Sequence, residues 1–349
     1  MPLHHLGYRS DPRQRRTTIP TRPWMPSITQ RHHAAQLVDR SVVVDIHTHP
    51  QSVMPRLVRR AAEITIGLPD DPLTNLSSAG VDYAVVTAVG DRLGTAWRLT
   101  RPASAAVDAQ LVAATREAEI GERGTADTRL VLGVEGADFL GRDLAAVEHL
   151  HKRGVRVLGL MHYADNEVGK VCTTLTGRRS RTNSGLTRFG RELVAELNRH
   201  RIVVDLAHAD AATTLAACKE SIHPVIASHT AASAVRAFPR YISDAEITAI
   251  AGTGGLIGLW PARMRGHAMN DLIDFARHAG HIAELVGVNH LAIGTDKNGV
   301  PDYVEGYRSS LDVVNLAATL SRHGFGDDDI VAIMGGNAQR VLDLGERRS

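Results

Sequence analysis

The chain has 349 residues, of which 43% are hydrophobic and 22% are charged, and its formal net charge is +2. These values are ordinary for a globular protein with one large core. The 40 basic residues nearly balance the 38 acidic ones. This balance argues against nucleic acid as the main partner, because phosphate binding needs a concentrated basic face. No stretch has the length and apolarity of a membrane-spanning helix, so we expect no membrane insertion.

The first 35 residues are rich in arginine and proline and lack the apolar core of a secretory signal. Arg15 and Arg16 are not followed by the hydrophobic run that a twin-arginine signal needs. We expect residues 1–35 to form an extended arm, disordered or wrapped around a neighbouring subunit, and residues 36–349 to form a single domain. Cys172 and Cys218 fit no disulfide or CxxC framework. They allow a reducing compartment, and we expect a cytoplasmic protein.

From Val42 onward, short β-branched runs alternate with amphipathic segments. The runs are mostly continuous in apolar residues, as expected for parallel strands that are buried on both faces. The predicted strands are Val42–Ile46, Tyr83–Ala88, Leu130–Val134, Val155–Met161, Ile202–Ala207, Pro224–Ser228, Gly255–Leu259 and Leu291–Thr295. Eight strands separated by helices favour an α/β fold of the (β/α)8 TIM barrel type over an open doubly wound sheet. The chain has no phosphate loop and no GxGxxG motif.

The segments between the strands carry helical and loop signals. Apolar residues at helical spacing predict helices at Thr187–His200 and Asp271–Val286, and Gly252 closes a further helix in the string DAEITAIAG. The long segment Arg92–Thr128 is expected to hold the second crossover. The segment Tyr163–Ser184 is polar and rich in arginine, which is typical of a loop or lid over a functional site.

Six of the eight predicted strands end in, or run directly into, a side chain that can bind a metal ion or an anionic group. In a parallel (β/α)8 barrel the functional site lies at the carboxyl ends of the strands. The side chains at these positions are His47, His49, Glu135, His162, His208, His229 and Asp296. Histidine, glutamate and aspartate delivered there by separate strands predict a metal centre.

His47 and His49 point to the same side of a strand because they are two residues apart, so both imidazoles can bind one ion. The HxH pattern alone is a weak signal in a chain with 18 histidines, but its position after the first strand favours ligation. Glu135 is either a residue near a helix N-terminus or a carboxylate that bridges two ions with its two oxygens. His208 and His229 follow successive strands and would supply the second ion.

Several local strings resemble the membrane (renal) dipeptidase family of zinc peptidases, peptidase family M19, among the amidohydrolase-type barrels. The resemblance covers about Val42 to Leu344, nearly all of the chain after the arm. The strings are GLTRFGRELVAELNRHRIVVDLAHAD, PVIASHTAASAVRAFPRYISD, LGVEG, LGLMHYADN, IGTDKNGVP and GGNAQRVL. The resemblance implies a (β/α)8 barrel with two divalent metal ions, expected to be Zn²⁺, and a homodimer that hydrolyses dipeptides.

Carried over by position, the resemblance gives the metal ligands of each ion. It implies that His47 and His49 bind the first ion together with Glu135. It implies that Glu135 also bridges to the second ion, which His208 and His229 would bind.

Three further residues receive substrate or proton-transfer roles from the resemblance. His162 would contact the scissile group and stabilise the tetrahedral intermediate, and Arg240 would hold the substrate's C-terminal carboxylate, for which a guanidinium offers a bidentate grip. Asp296 closes the last strand, where it can neighbour a metal ion and move protons. The expected activity is a metal-dependent hydrolysis, by a metal-bound hydroxide, of a dipeptide or small amide with a free carboxylate.

Three departures from that family keep other interpretations open. The first-strand motif is HxH where the family usually has HxD, and Lys297 places a cation after the last strand where an acidic residue is typical, unless it points to solvent. The string GLWPARMRG follows the seventh strand, so we expect it to bring Trp260, Arg263 and Arg265 near the pocket. The alternative for the two arginines is a solvated loop. The alternative is a related barrel enzyme, such as a cyclic-amide or lactone hydrolase or a non-oxidative decarboxylase. A non-catalytic barrel that binds a ligand is a third hypothesis, which the full ligand set disfavours.

Overall fold

The computed structural model describes residues 24–53, 56–66, 72–92, 103–121, 128–174, 177 and 184–344. Within them, eight parallel strands close into a barrel in sequence order, and β1 meets β8 through the pairing of Asp45 with Ile293. The strands are β1 Val44–Thr48, β2 Tyr83–Val89, β3 Arg129–Glu135, β4 Val155–Gly159, β5 Val203–Asp205, β6 Ile226–Thr230, β7 Leu256–Leu259 and β8 Leu291–Ile293. The predicted (β/α)8 TIM barrel is confirmed, and each predicted strand overlaps an observed one.

Helices surround the barrel. They are α1 Ile28–Arg40, α2 Arg56–Ile66, α3 Thr74–Ser78, α4 Ala103–Gly121, α5 Ala145–Lys152, α6 Arg188–Arg199, α7 Ala211–Glu220, α8 Asp244–Gly252, α9 Leu272–Val286, α10 Val313–His323, α11 Asp327–Val331 and α12 Asn337–Leu342. Helix α4 occupies the segment that was expected to hold the second crossover. Among these described helices, none combines the length and the apolar character that a membrane crossing requires.

The predicted helix boundaries are set by side-chain caps. Thr187 caps α6 by accepting a hydrogen bond from the backbone N–H of Gly190, and Asp271 caps α9 in the same way. Ser243 begins α8 with a reciprocal capping box, and the helix ends at Gly252 as predicted. These caps satisfy N–H groups that have no partner within the helix.

The structure corrects the end of the expected N-terminal arm, because residues 28–35 belong to helix α1 and are not extended. Ser27 and Gln30 form a capping box at the start of this helix. Ala34, Leu37 and Val38 are buried at helical spacing, and α1 packs against α10. Burial of that apolar stripe stabilises the helix. Residues 1–23 lie outside the described residues, so the rest of the arm stays a prediction.

The buried apolar residues form two layers. One lies between the strands and the surrounding helices. The other fills the barrel interior with residues from the early parts of the strands, such as Val44, Tyr83 and Leu256, which pack against Ala338 and Leu342 of α12. Helix α12 therefore closes the amino-terminal mouth of the barrel. Polar side chains occupy the carboxyl-terminal mouth of the barrel.

Candidate metal centre and substrate pocket

The β1 motif and the residue after β8 form a first group of buried ligand atoms. The Nε2 atoms of His47 and His49 lie 3.3 Å apart. The Nε2 atom of His49 is 3.3 Å from Oδ1 of Asp296. Each of the three residues offers one ligand atom, and these atoms lie within 4.8 Å of one another. One cation could therefore contact all three.

Glu135 ends β3 and divides its two carboxylate oxygens between two sets of histidines. Its Oε2 lies 3.5 Å from Nε2 of His49 and 3.8 Å from Nε2 of His47. Its Oε1 lies 3.0 Å from Nε2 of His208 and 3.5 Å from Nε2 of His229. The latter two Nε2 atoms are 3.1 Å apart. This is the arrangement expected of a carboxylate that bridges two ions.

The donor set fits divalent cations. The Oε1 atom of Glu135 is buried and makes no hydrogen bond within the described chain, which is costly unless another group satisfies it. Burial and the charge of Arg240 hold the pKa of His208 well below its usual range, so this imidazole is neutral, as a ligand must be. Burial alone would raise the pKa of Glu135, yet the surrounding imidazoles hold it well below its ordinary value. Imidazole and carboxylate donors suit zinc and similar ions.

Two buried aspartates that the sequence analysis did not single out support the ligands. Asp45 Oδ1 accepts hydrogen bonds from the backbone N–H groups of His47 at 3.2 Å and Thr295 at 3.0 Å, and its Oδ2 accepts from Thr295 Oγ1 at 2.5 Å. Asp205 accepts from the backbone N–H and the hydroxyl of Ser228 at 2.9 and 2.6 Å. Burial raises the pKa of Asp45 to about 7. The available signal was an aspartate inside each apolar run, VVVDI and IVVDLA.

Two ligand-bearing turns have left-handed backbone conformations. The φ angles are +68° at His208 and +53° at Asp296, a region that residues other than glycine seldom occupy. The carbonyl of His208 accepts a hydrogen bond from the Cys172 N–H at 2.8 Å, and the carbonyl of Asp296 accepts one from the Tyr303 hydroxyl at 2.8 Å. These contacts hold both turns in conformations that direct the side chains to the centre.

His162 follows β4 and reaches the same centre from the other side of Glu135. Its Nε2 lies 3.3 Å from Glu135 Oε2, and its Nδ1 lies 2.5 Å from Oδ2 of Asp91. Burial opposes protonation, but Glu135 and Asp91 together raise the pKa of His162. The ring of Tyr163 packs on it with centroids 3.9 Å apart. Asp91 was missed by the sequence analysis, and its signal was the AVGD string at the end of β2.

Arg240 lies beside the metal centre in a cavity of about 620 Å³ that also contains His208. The side chain is buried, its guanidinium lies 5.3 Å from the ring of Trp260, and Nη1 contacts Cys172 Sγ at 3.9 Å. Its Nη2 makes no hydrogen bond to any described residue. No described carboxylate lies within 4.0 Å of the guanidinium. This buried cation is therefore available to an anionic group.

The string GLWPARMRG contributes one buried aromatic side chain and two solvated arginines. Trp260 is buried, with its ring 5.7 Å from that of His229 in an edge-on contact. Arg263 and Arg265 are exposed, and Arg263 lies 3.9 Å from the carboxylate of Asp302. The solvated interpretation of these arginines is confirmed.

Lys297 does not point to solvent. Its side chain is 1% exposed, and Nζ donates a hydrogen bond to the carbonyl of Arg308 at 2.7 Å. The ammonium also lies 3.8 Å from the ring centre of Tyr303 and 4.5 Å from that of Tyr307. Two aromatic faces and a carbonyl stabilise a buried cation.

Comparisons with known proteins identify the family. The family model for membrane dipeptidases, peptidase family M19, matches residues 88–348. Dipeptidase aclJ of Aspergillus oryzae is 30% identical over 216 residues, which are 61% of this chain and 50% of aclJ. Dipeptidase tcpJ of Claviceps purpurea is 28% identical over 218 residues, with the same two shares. The chain thus spans about half the length of the curated relatives it matches.

Solved structures show the same fold. The probable dipeptidase PvdM of Pseudomonas aeruginosa has a TM-score of 0.73 at 17% identity, covering 90% of this chain and 98% of its own. A metallopeptidase of Rhodobacter sphaeroides, liganded with a phosphinate mimic of the dipeptide L-Ala-D-Ala, has a TM-score of 0.70 at 23% identity, covering 87% and 99%. The family match begins in β2, so the HxH motif precedes it. Because the match covers most of the chain, the protein belongs to peptidase family M19, the membrane dipeptidases.

Proposed function

We propose that this protein is a metal-dependent dipeptidase that hydrolyses a dipeptide or small amide with a free carboxylate. The observation that carries the proposal is Glu135, which turns one oxygen to each of two histidine groups, beside a cavity in which Arg240 has no carboxylate partner among the described residues. The relatives aclJ and tcpJ are also named dipeptidases. The geometry and the family point to the same chemistry.

Two divalent cations, expected to be Zn²⁺, would share Glu135 as a common ligand. His47, His49 and Asp296 would complete the first site, and the second would be completed by the two histidines that follow β5 and β6, His208 and His229. Bound cations supply Lewis acidity and a nucleophilic water at neutral pH. The histidines hold their Nε2 atoms toward Glu135 at 3.0–3.8 Å, which fits ligation through that nitrogen.

Arg240 would bind the substrate's C-terminal carboxylate. It is a buried guanidinium without a carboxylate partner among the described residues, and it shares a cavity with the ligand His208. A planar fork of donors matches a carboxylate bidentately. A dipeptide whose carboxylate is bound by Arg240 would present its amide to the metal centre, because a dipeptide is short and Arg240 lines the same cavity as His208.

His162 and Asp296 would serve the reacting amide from two sides. Asp91 accepts from Nδ1 of His162, so Nε2 is directed at the centre and can donate a hydrogen bond to the developing oxyanion. Asp296 Oδ1 lies 3.3 Å from Nε2 of His49, where it can accept a proton from water and return it to the leaving amine.

The alternative of a lactonase, cyclic-amide hydrolase or decarboxylase drew on the HxH motif and on Lys297. The ammonium of Lys297 bonds the Arg308 carbonyl and lies against two tyrosine rings, so among these two features only HxH still motivates that alternative. A homodimer is proposed on family grounds, and light scattering on the purified protein would check it.

The test is metal content per chain by elemental analysis, paired with hydrolysis of L,L-, L,D- and glycyl dipeptides. The proposal expects two ions per chain and turnover that a chelator abolishes and added Zn²⁺ restores. C-terminally amidated dipeptides are the control, since they lack the carboxylate and should be poor substrates. A protein with two ions that hydrolyses no dipeptide would overturn the dipeptidase assignment.

A further inference from the structure

The hydroxyl of Ser228 lies among three polar partners in the barrel interior. Ser228 is on β6, directly before His229, and it is completely buried. Its Oγ lies 2.6 Å from Oδ2 of Asp205, 3.0 Å from Nδ1 of His47 and 2.9 Å from Nδ1 of His229. One oxygen therefore contacts an imidazole on β1 and another on β6. The two rings belong to different ligand groups of the proposed two-ion centre.

Counting protons determines the direction of each bond. A serine hydroxyl has one proton and two acceptor lone pairs. The proton goes to Asp205, whose carboxylate accepts it at 2.6 Å. Both imidazole Nδ1 atoms must then donate to Ser228, so each neutral ring carries its proton on Nδ1. The lone pairs are left on Nε2 of His47 and His229.

Those Nε2 atoms are the ones directed at the bridging carboxylate. The distances are 3.8 Å from His47 Nε2 to Glu135 Oε2 and 3.5 Å from His229 Nε2 to Glu135 Oε1. With the other tautomer, each ring would present an N–H to the ion and could not ligate through Nε2. The hydrogen bond on one ring nitrogen thus decides which nitrogen binds a metal.

The remaining two histidines are supported differently. His49 Nδ1 donates to the carbonyl of Thr87 at 2.8 Å. His208 Nδ1 makes no hydrogen bond within the described chain. Each side of the centre therefore contains one histidine that depends on Ser228 and one that does not.

We propose that Ser228 is a positioning residue that fixes the ligating nitrogen of one imidazole in each half of the centre, so that both sites depend on the same hydroxyl. The inference rests on the proposed two-ion function. Its consequence is that removal of one hydroxyl weakens both sites together, although Ser228 binds neither ion.

Ser228→Ala removes the hydroxyl and keeps the backbone N–H bond to Asp205 at 2.9 Å. The matched control is Thr295→Val, which removes the hydroxyl bonded to Asp45 and leaves every imidazole contact intact. Zn²⁺ affinity of each site is measured by competition with a chelating indicator, and Co²⁺-loaded protein is compared by visible absorption. Loss of a hydrogen bond that supports a metal ligand typically weakens metal affinity by about 10- to 100-fold. We expect that loss at both sites in Ser228→Ala, whereas Thr295→Val, which removes a contact beside His47 and Asp296 only, should weaken the first site alone.

The outcomes separate the two proposals. A wild-type protein with two ions and a Ser228→Ala variant with unchanged affinities would overturn the role of Ser228 alone. Weakening confined to the second site would overturn the shared dependence on Ser228, since it would reflect only the neighbour His229. Equal weakening of both sites in Thr295→Val would assign the effect to the hydrogen bonds of Asp45 and Asp205 and not to the contacts between the Ser228 hydroxyl and the imidazoles. A wild-type protein that binds no divalent ion would remove the two-ion proposal and this inference with it.

A measurement on the unmodified chain does not depend on a variant that folds. Imidazole ¹⁵N chemical shifts of histidine-labelled, zinc-loaded protein report the protonation of each ring nitrogen. His47 and His229 should both show a protonated Nδ1 and a metal-bound Nε2. An unprotonated Nδ1 on either ring would overturn the assignment.

Discussion

Asp45 and Asp205 occupy equivalent positions on β1 and β5, which lie opposite each other in the closed barrel. Each carboxylate accepts a backbone N–H bond from the neighbouring strand's segment, at Thr295 and Ser228 respectively, and each also accepts the hydroxyl of that residue. Each partner directly precedes a candidate ligand, Asp296 or His229. Each of the two buried aspartates therefore ties together segments that carry candidate ligands from two neighbouring strands.

Replacing His208 should empty the second site and leave metal at the first. His208→Ala removes the nitrogen that lies 3.0 Å from Glu135 Oε1, whereas the atoms around Oε2 are untouched. We expect about one ion per chain in place of two, measured by elemental analysis after dialysis. The control is His149→Ala, whose side chain is 57% exposed and should keep both ions. Complete loss of metal in His208→Ala would show that the first site cannot form alone.

Replacing Arg240 should weaken binding of substrates that carry a free carboxylate. A charge-assisted bond contributes about 1.5–3 kcal/mol, so Arg240→Ala should raise KM for dipeptides by roughly 10- to 100-fold, since each 1.4 kcal/mol is a factor of ten. The amidated analogues should change little, and the exposed Arg263→Ala should behave as wild type. Steady-state kinetics on matched substrate pairs checks this. An equal loss on both substrates would refute carboxylate anchoring.

Replacing Asp91 should lower kcat more than it changes KM. Asp91→Asn keeps the shape of the side chain but removes the negative charge that lies 2.5 Å from Nδ1 of His162, so the imidazole is no longer held as a donor to the oxyanion. General acid–base and positioning groups contribute about 10²–10⁴-fold, and we expect a kcat loss near the lower end. The exposed Asp327→Asn is the control. A KM effect with kcat unchanged would place Asp91 in ground-state binding.

Acid should destabilise the fold in part through His278, a buried histidine on α9. Burial lowers the pKa of His278 to about 4, and its Nδ1 accepts the N–H of Ala232 at 3.2 Å. Between pH 4 and 6.5 the unfolded chain binds a proton that the folded state does not. The contribution of neutral His278 to the free energy of unfolding is therefore complete above pH 6.5 and falls as the pH drops toward 4.

The magnitude of this effect is testable by substitution. A pKa difference of this size corresponds to at most about 3 kcal/mol at pH 4. His278→Asn keeps an acceptor for Ala232 but cannot titrate, so its unfolding free energy should decline less steeply between pH 6.5 and 5. Urea denaturation at several pH values measures the difference, and metal loss at low pH affects both proteins alike. Parallel curves would show that His278 does not titrate on unfolding.

Much of the site could be predicted because a parallel barrel converts sequence position into spatial position. A strand of continuous apolar residues indicates where its carboxyl end lies, and a polar residue there must face the mouth of the barrel. His47, Glu135 and His208 satisfy that rule, and in the structure the Nε2 atoms of His47 and His208 lie 3.8 and 3.0 Å from the carboxylate of Glu135. Local caps such as Thr187 were likewise readable, because they depend on residues three apart.

The fold class and the candidate ligands could be predicted from the sequence, whereas the contacts that support those side chains depend on the tertiary structure. Asp91 with His162, and Ser228 with His47, are separated by 71 and 181 residues. Their pairing depends on strand register and on how each chain segment turns after its strand, and neither property has a local pattern. Lys297 is the clearest case, since a lysine after a strand is ordinarily solvated. Only the folded positions of Tyr303 and Tyr307 create the aromatic surroundings in which its charge is stable.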